Sequence, residues 1–321
     1  MTDYVNTLSN NSIANVYFMG RWVQRRFQDT PIMYTTNLGA EILFQIEDST
    51  YFELQTILPD LETPQTLSID IDHQLQLVSL DKATIRFELN HSHSHLIRIV
   101  FTGNTDADDV WQGNQGLAIK SIRASKNGVL HPIKPSGPLV AFIGDSITAG
   151  CWVRGSHPSI DYGADINYAA LLSQMFNWED YRIAYSAAGI LCYGTGGVPA
   201  APRFINYVDF NITAPAVNPS MVFINLGTND KKFEESLFQP FFMQFMREVQ
   251  SKFSSSKLFV IVPFDQTHVE SITSVSETLN ISIIPTKDWN IETIDGVHPD
   301  VNGSITIAQK LSDFLVHHQI S

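Results

Sequence analysis

Cysteine is nearly absent: Cys151 and Cys192 are the only two in 321 residues. A disulfide framework is therefore excluded as the source of stability. Both thiols are expected to be free and buried, with a single cross-link between them as the alternative. Charged residues are also scarce, at 17% of the chain, and positive charge is the minority sign, with 20 Lys and Arg against 33 Asp and Glu. The resulting net charge of -13 argues against a nucleic-acid partner or an anionic membrane and fits a neutral ligand such as a sugar. No apolar run is long enough to span a bilayer. The opening Met1-Thr-Asp-Tyr-Val-Asn lacks the basic and apolar regions of an export signal, so the expected compartment is the cytoplasm. There is no obvious internal repeat and no long low-complexity tract.

What the chain has is apolar patterning of two kinds. Its length exceeds what one core usually organises, so two domains are expected. The rhythm changes near Pro132-Ile-Lys-Pro135-Ser-Gly-Pro138. Before it, Ile42, Phe44 and Ile46 keep a two-residue period, as do Ser68–Asp72, Leu75 and Leu77, Thr84–Leu89, Leu96–Phe101, and Leu117 with Ile119. Alternation without a helical period predicts packed antiparallel sheets. Residues 1–133 are thus expected to form a jelly-roll β-sandwich. After it, apolar runs at Leu139–Ile143, Tyr181–Tyr185, Met221–Leu226, Leu258–Pro263 and Ile281–Ile284 predict five buried parallel strands. Helical spacing links Ile166, Ala169, Leu172 and Phe176, and also Phe242, Phe245, Val249 and Phe253. Asn302 is positioned to cap a last helix carrying Ile305, Ala308, Leu311 and Leu315. Residues 134–321 are therefore expected to form a three-layer α/β/α domain.

Chemistry gathers at the ends of these strands, where open α/β sheets place their sites. Ser146 follows the first run within Gly144-Asp145-Ser146-Ile147. Asp295-Gly-Val-His298 lies near the far end of the chain. A serine needs a histidine to take its proton and works better when a third group orients that histidine; a spacing of three residues lets Asp295 reach His298. Asp145, adjacent to the serine, is better suited to bracing the loop than to acting as base. An oxyanion needs donors: Ser146 N–H, Gly189 N–H after the second run, and the Asn229 amide in Gly227-Thr-Asn-Asp230 after the third. Each residue taken alone has a plainer explanation, as turn residue, helix cap or loop punctuation. Their order after successive strands favours acyl transfer by a serine esterase.

These blocks resemble the four sequence blocks of the SGNH (GDSL-type) hydrolase superfamily, in order and spacing, over about residues 138–318. The resemblance implies Ser146 as nucleophile, His298 as base and Asp295 as its orienting carboxylate, with Ser146 N–H, Gly189 N–H and Asn229 Nδ2 as the oxyanion hole. Met19-Gly-Arg-Trp22, Asn37–Phe44 and Gly113-x-x-Gly116-Leu-Ala-Ile119 in the first half look like the jelly-roll half of carbohydrate esterase family 2. That family implies O-acetyl ester hydrolysis on xylan, glucomannan or related sugars. Some members lack the triad aspartate; here Asp295 is present. Relatives are commonly secreted, whereas this chain shows no export signal, and no separate cellulose-binding module is evident.

The expected partner is an acetylated carbohydrate, and the mechanism calls for no metal or organic cofactor. A flat ring stacks on the apolar face of a pyranose, which makes Trp152, Tyr193 and Trp289, each near a block, and Trp111 from the sandwich the expected sugar platform. Two rival functions are a broader acyl esterase or lipase and a noncatalytic sugar-binding protein; the complete set of site residues speaks against the latter. His91, His93 and His95 would share one face of a strand, but without a fourth ligand they are expected to form a polar hairpin. Phe238–Phe253 is expected to be helix packing.

Overall fold

The computed structural model describes residue 13, residues 15–90 and residues 94–320. The first half contains β1 (Tyr17–Met19), β2 (Val23–Phe27), β3 (Thr30–Thr35), β4 (Glu41–Glu47), β5 (Tyr51–Ile57), β6 (Thr66–Ile71), β7 (Gln74–Ser79), β8 (Thr84–Glu88), β9 (His95–Gly103), β10 (Leu117–Ala124) and β11 (Val129–Pro132). One antiparallel sheet runs β1-β4-β9-β6-β7, with β11 also paired to β4; the other runs β2-β3-β10-β5-β8. Cross-strand register lines up Ile42, Ile99 and Ile69 on the first sheet, and their side chains interlock with Phe52, Leu54 and Ile122 of the second. This is the β-sandwich that two-residue alternation predicts. Sequence patterning missed β2, Val-Gln-Arg-Arg-Phe, because an edge strand buries only Val23. Leu75 and Leu77 do lie in a strand, but it is the edge of the first sheet and both remain exposed.

The second half contains β12 (Leu139–Gly144), α1 (Ser146–Ala149), α2 (Tyr168–Met175), β13 (Glu179–Ala184), α3 (Ala201–Phe204), β14 (Met221–Asn225), α4 (Glu235–Lys252), β15 (Lys257–Ile261), α5 (Val269–Thr278), β16 (Ser282–Ile284) and α6 (Val301–His317). All five strands are parallel, in the order β13-β12-β14-β15-β16. Phe142, Tyr168, Phe223 and Leu311 fill the layer beneath α2 and α6. Ile143, Ile224, Phe238, Phe242 and Phe245 fill the layer beneath α4 and α5, so the phenylalanine-rich helix is core. The cap of α6 is Asp300, whose carboxylate accepts the Gly303 N–H at 2.8 Å, rather than the expected Asn302. The connection leaving β12 runs to β13 on one side, and the one leaving its neighbour β14 runs to β15 on the other. The end of β12 is therefore the switch point, where neighbouring loops splay apart and leave a crevice.

Buried polar contacts fix the sandwich to the α/β domain. Arg21, fully buried, donates to Phe204 O at 2.7 Å and Ile205 O at 3.1 Å. Asn37 Nδ2 donates to Ala184 O at 3.2 Å, and Thr36 Oγ1 shares a 2.8 Å hydrogen bond with Tyr185 Oη. Each is a desolvated group that needs its partner. Among the described residues no helix is long and apolar enough to cross a membrane, and no cluster of three or more His, Cys, Asp or Glu could hold a metal ion. His91 and His93 lie outside the described residues; His95 bonds Asp72 Oδ2 at 2.6 Å and Asn90 O at 2.9 Å.

Candidate active site

The turn that presents Ser146 is dictated by its neighbours. A Cβ on Gly144 would lie 2.0 Å from Thr148 Oγ1, so only glycine lets the first turn of α1 fold back over the strand end. Asp145 caps that turn, its carboxylate accepting Ile147 N–H at 3.0 Å, and Gly150 ends it with φ 91°. Asp145 braces the loop as expected. It is 1% exposed. Burial pushes its pKa up to about 7, the Ile147 N–H opposing and the charges of Asp265 and Asp230 adding to the rise. Between the ordinary carboxylate value of about 3.9 and about 7, the folded protein then holds a proton that the unfolded chain has lost, so stability falls as pH rises through that window. Asp145→Asn is expected to flatten this fall. Unfolding midpoints at about pH 5 and about pH 8 measure it, and an unchanged slope rejects it.

The loop after β16 supplies the other two groups. Thr293 bridges Pro299, and Ile294 N–H donates to His298 O at 2.9 Å, so residues 293–299 form a closed loop. Inside it Asp295 Oδ1 accepts the Val297 and His298 N–H groups at 3.0 and 2.8 Å, while Oδ2 meets His298 Nδ1 at 2.7 Å. His298 Nε2 lies 2.8 Å from Ser146 Oγ, across 152 residues of sequence. The result is a continuous Ser-His-Asp chain of hydrogen bonds. Partial burial raises the Asp295 pKa, but the His298 donors and the Val297 N–H outweigh it and hold this carboxyl below its usual range.

The three expected oxyanion donors are differently placed. Ser146 N–H, at the first position of α1, has no acceptor among the described residues. Gly189 N–H is already given to Cys192 O at 3.0 Å. Asn229 Nδ2 donates to Ala188 O at 3.0 Å and makes a longer contact, 3.4 Å, to Asp145 Oδ2. The residue that organises this region is Asp230, to which the sequence pattern assigned no role of its own. It is fully buried, and its carboxylate accepts the N–H groups of Ile190, Leu191 and Cys192 at 2.7, 3.0 and 3.0 Å. A Cβ on Gly189 would fall 2.5 Å from those carboxylate oxygens, which is the reason for glycine there. Cys192 Sγ ties the same loop to Asn229 O at 3.0 Å; both cysteines are free and buried.

Among the expected aromatic residues, Trp152 is half-buried, edge-on to Tyr162, with φ 62°. Tyr193, on the Gly189 loop, is 76% exposed. Trp289 is half-buried beside Phe264 and lines a cavity of about 420 Å³. That cavity borders the site, since Ile147, Thr228 and Val297, each adjacent to a site residue, also line it. Phe264-Asp265-Gln266, after β15, completes the wall and escaped the sequence analysis because no block marks it. Trp111 is a correction: it is 4% exposed and packs edge-on against Tyr185, so its ring belongs to the core and offers no face to a sugar.

The same architecture occurs in solved structures that share little sequence with this chain. A family two carbohydrate esterase from Clostridium thermocellum, solved with cellohexaose, is 17% identical with a TM-score of 0.75, over 95% of this chain and 99% of that one. An acetyl xylan esterase from the rumen bacterium Butyrivibrio proteoclasticus is 14% identical with a TM-score of 0.77, over 97% and 98%. A salicylyl-acyltransferase from a tetracycline biosynthetic pathway is 14% identical with a TM-score of 0.66, over 95% and 96%. These likenesses establish a shared two-domain fold. No curated protein matches by sequence. The model of the GDSL-like lipase/acylhydrolase family matches residues 142–303, a span that holds Ser146, Gly189, Asn229, Asp295 and His298. Sequence blocks, parallel sheet and family match agree, and the chain belongs to the GDSL-like lipase/acylhydrolase family of SGNH-type hydrolases.

Proposed function

We propose that this chain is a carbohydrate O-acetyl esterase, acting on xylan- or glucomannan-type poly- or oligosaccharides through an acetyl-enzyme. The observation that carries the chemistry is the 2.8 Å approach of His298 Nε2 to Ser146 Oγ, with Asp295 at 2.7 Å on the far side of the ring. With the Nδ1 proton directed at Asp295, the Nε2 lone pair faces the serine. His298 takes the Oγ proton as oxygen attacks the acetyl carbonyl, then returns it to the departing sugar hydroxyl. Water cleaves the acetyl-enzyme by the same steps reversed. Ser146 N–H and the Asn229 amide stabilise the oxyanion, and Gly189 N–H joins them on leaving Cys192 O. Such donors commonly align only once substrate is bound. The choice of a neutral sugar is supported by the net charge of -13 and by the fold shared with carbohydrate esterases.

The test is acetate release from acetylated xylan, acetylated glucomannan and simple acetylated sugars, beside nitrophenyl esters of rising chain length. Preference for acetyl supports the proposal. Faster turnover of butyryl and longer esters would favour a broader acyl esterase, a second reading that draws on the apolar Ile147, Phe264 and Val297 beside the serine. Asn229→Ala is expected to lower kcat by about a hundredfold or more with little change in KM, because the amide acts on charge that develops in the transition state. A change in KM alone would assign Asn229 to binding.

A further inference from the structure

Ser146 follows the carboxyl end of β12, at Gly144; Asp180 pairs with Val140 at the opposite end of the same strands. There the outer face of the first sandwich sheet meets α2 and the start of β13, and the seam encloses a groove of about 280 Å³. Leu43, Leu96, Arg98 and Asp70 line it from the sheet, and Ser173, Trp178 and Asp180 from the α/β domain. Asp180 is 1% exposed and Ser173 4% exposed. Asp180 Oδ1, Ser173 Oγ and Asp70 Oδ1 are all buried and have no hydrogen-bond partner. Unpaired buried polar atoms cost stability, so three on one cavity need an explanation.

We propose that this seam groove is a binding site for a neutral sugar ring, separate from the ester-cleaving centre. The orphaned atoms are two carboxylate oxygens and one hydroxyl, so the missing partner must donate more than once and also exchange hydrogen bonds with a serine. Sugar hydroxyls do both. A metal ion is disfavoured, since among the described residues no cluster of three or more His, Cys, Asp or Glu could hold one. An organic cation is not called for either. Asp180 Oδ2 already binds Arg182 at 2.9 and 2.6 Å, and Glu41 binds Arg98 through two contacts of 2.6 Å, so of the three groove carboxylates only Asp70 is without an ion pair among the described residues. Leu43, Leu96 and the buried Trp178 give the groove an apolar wall for the C–H face of a pyranose. Its volume, at the lower edge of small-molecule cavities, suits one ring rather than a long chain.

This proposal stands on the seam alone and does not depend on what Ser146 cleaves. Xylose, glucose, xylobiose and cellobiose are titrated by calorimetry and by saturation-transfer NMR into the whole protein and three variants. Leu96→Trp blocks the groove from an exposed strand position, Asp70→Asn removes an acceptor at constant shape, and Ser146→Ala leaves the groove untouched. At least one sugar is expected to bind with a millimolar Kd, equally in Ser146→Ala and about tenfold or more weakly in Leu96→Trp. Thermal unfolding checks that each variant is folded; if Leu96→Trp is not, Asp70→Asn carries the same expectation. No binding by any of the four sugars at about 100 mM, or affinity in the folded groove variants within twofold of the parent, overturns the proposal. Failure of the esterase assay leaves it standing, because the readout here is binding.

Discussion

Ser146→Ala is expected to lower kcat/KM for acetyl esters by about 10⁴-fold or more, the loss seen when the nucleophile of a serine triad is removed. The size of the effect follows from what remains. The oxyanion donors and the substrate cavity survive, but no covalent intermediate can form, and water must attack the ester without a positioned hydroxyl. The fold is expected to persist. Asp145, not Ser146, caps α1, and the hydrogen bonds that Gly150 and Cys151 make to residue 146 go to its backbone carbonyl. A small hydroxyl is lost from a buried position whose partner, His298, also has Asp295. Thermal unfolding near the parent midpoint, together with loss of the acetyl adduct in rapid-quench mass spectrometry, separates a chemical defect from a structural one. Retention of more than about a tenth of the activity would remove Ser146 from the mechanism.

Site and scaffold were legible in the sequence to different degrees, for physical reasons. Ser146, Asp295 and His298 were legible because strand-end placement and a spacing of three residues encode geometry directly. The central parallel strands were legible because both of their faces are buried, so β12 and β14 become apolar runs such as Val140–Ile143. The edge strand β2 was not: it carries two arginines, and one of them, Arg25, lies over Tyr34 and reaches Asp209, contacts that no local pattern announces. Asp230 was passed over because its role is nonlocal. A carboxylate beside a short helical turn looks like a cap, but its three acceptor contacts are to a loop about 40 residues earlier. Trp111 shows the same failure in reverse. Its loop was placed to reach the cleft between domains, with packing as the alternative, and packing holds: Gly196 O accepts its backbone N–H and Tyr185 covers its ring. Which aromatic residue faces a cleft is decided by packing between domains, and one chain read in isolation does not specify that.

Asp295→Asn is expected to reduce kcat by about 10³-fold, and the argument turns on what asparagine keeps and what it reverses. The side-chain oxygen of asparagine still accepts the Val297 and His298 N–H groups that the aspartate holds at 3.0 and 2.8 Å, so the loop stays closed. At the position of Oδ2, however, an amide donates, and His298 Nδ1 must become the acceptor. The ring proton then moves to Nε2, where it faces Ser146 Oγ and can no longer receive the serine's proton. Asp295→Ala should lose the loop as well as the tautomer, so it is expected to be worse in kcat and also to raise KM. The Asp295 side chain is 47% exposed. Water can therefore replace part of its effect, which keeps the expected loss below that of Ser146→Ala. The acid side of the stability profile gives a second readout. A carboxyl held below its usual range keeps its orienting charge above about pH 3.9 and loses it only as pH falls through the lowered value, so in the parent this contribution disappears at low pH. In Asp295→Asn that low-pH step should be missing while the neutral-pH rate is already depressed. If the variant instead keeps its rate within tenfold and retains the step, the serine and histidine act as a pair, and Asp295 serves only to close the loop that carries His298.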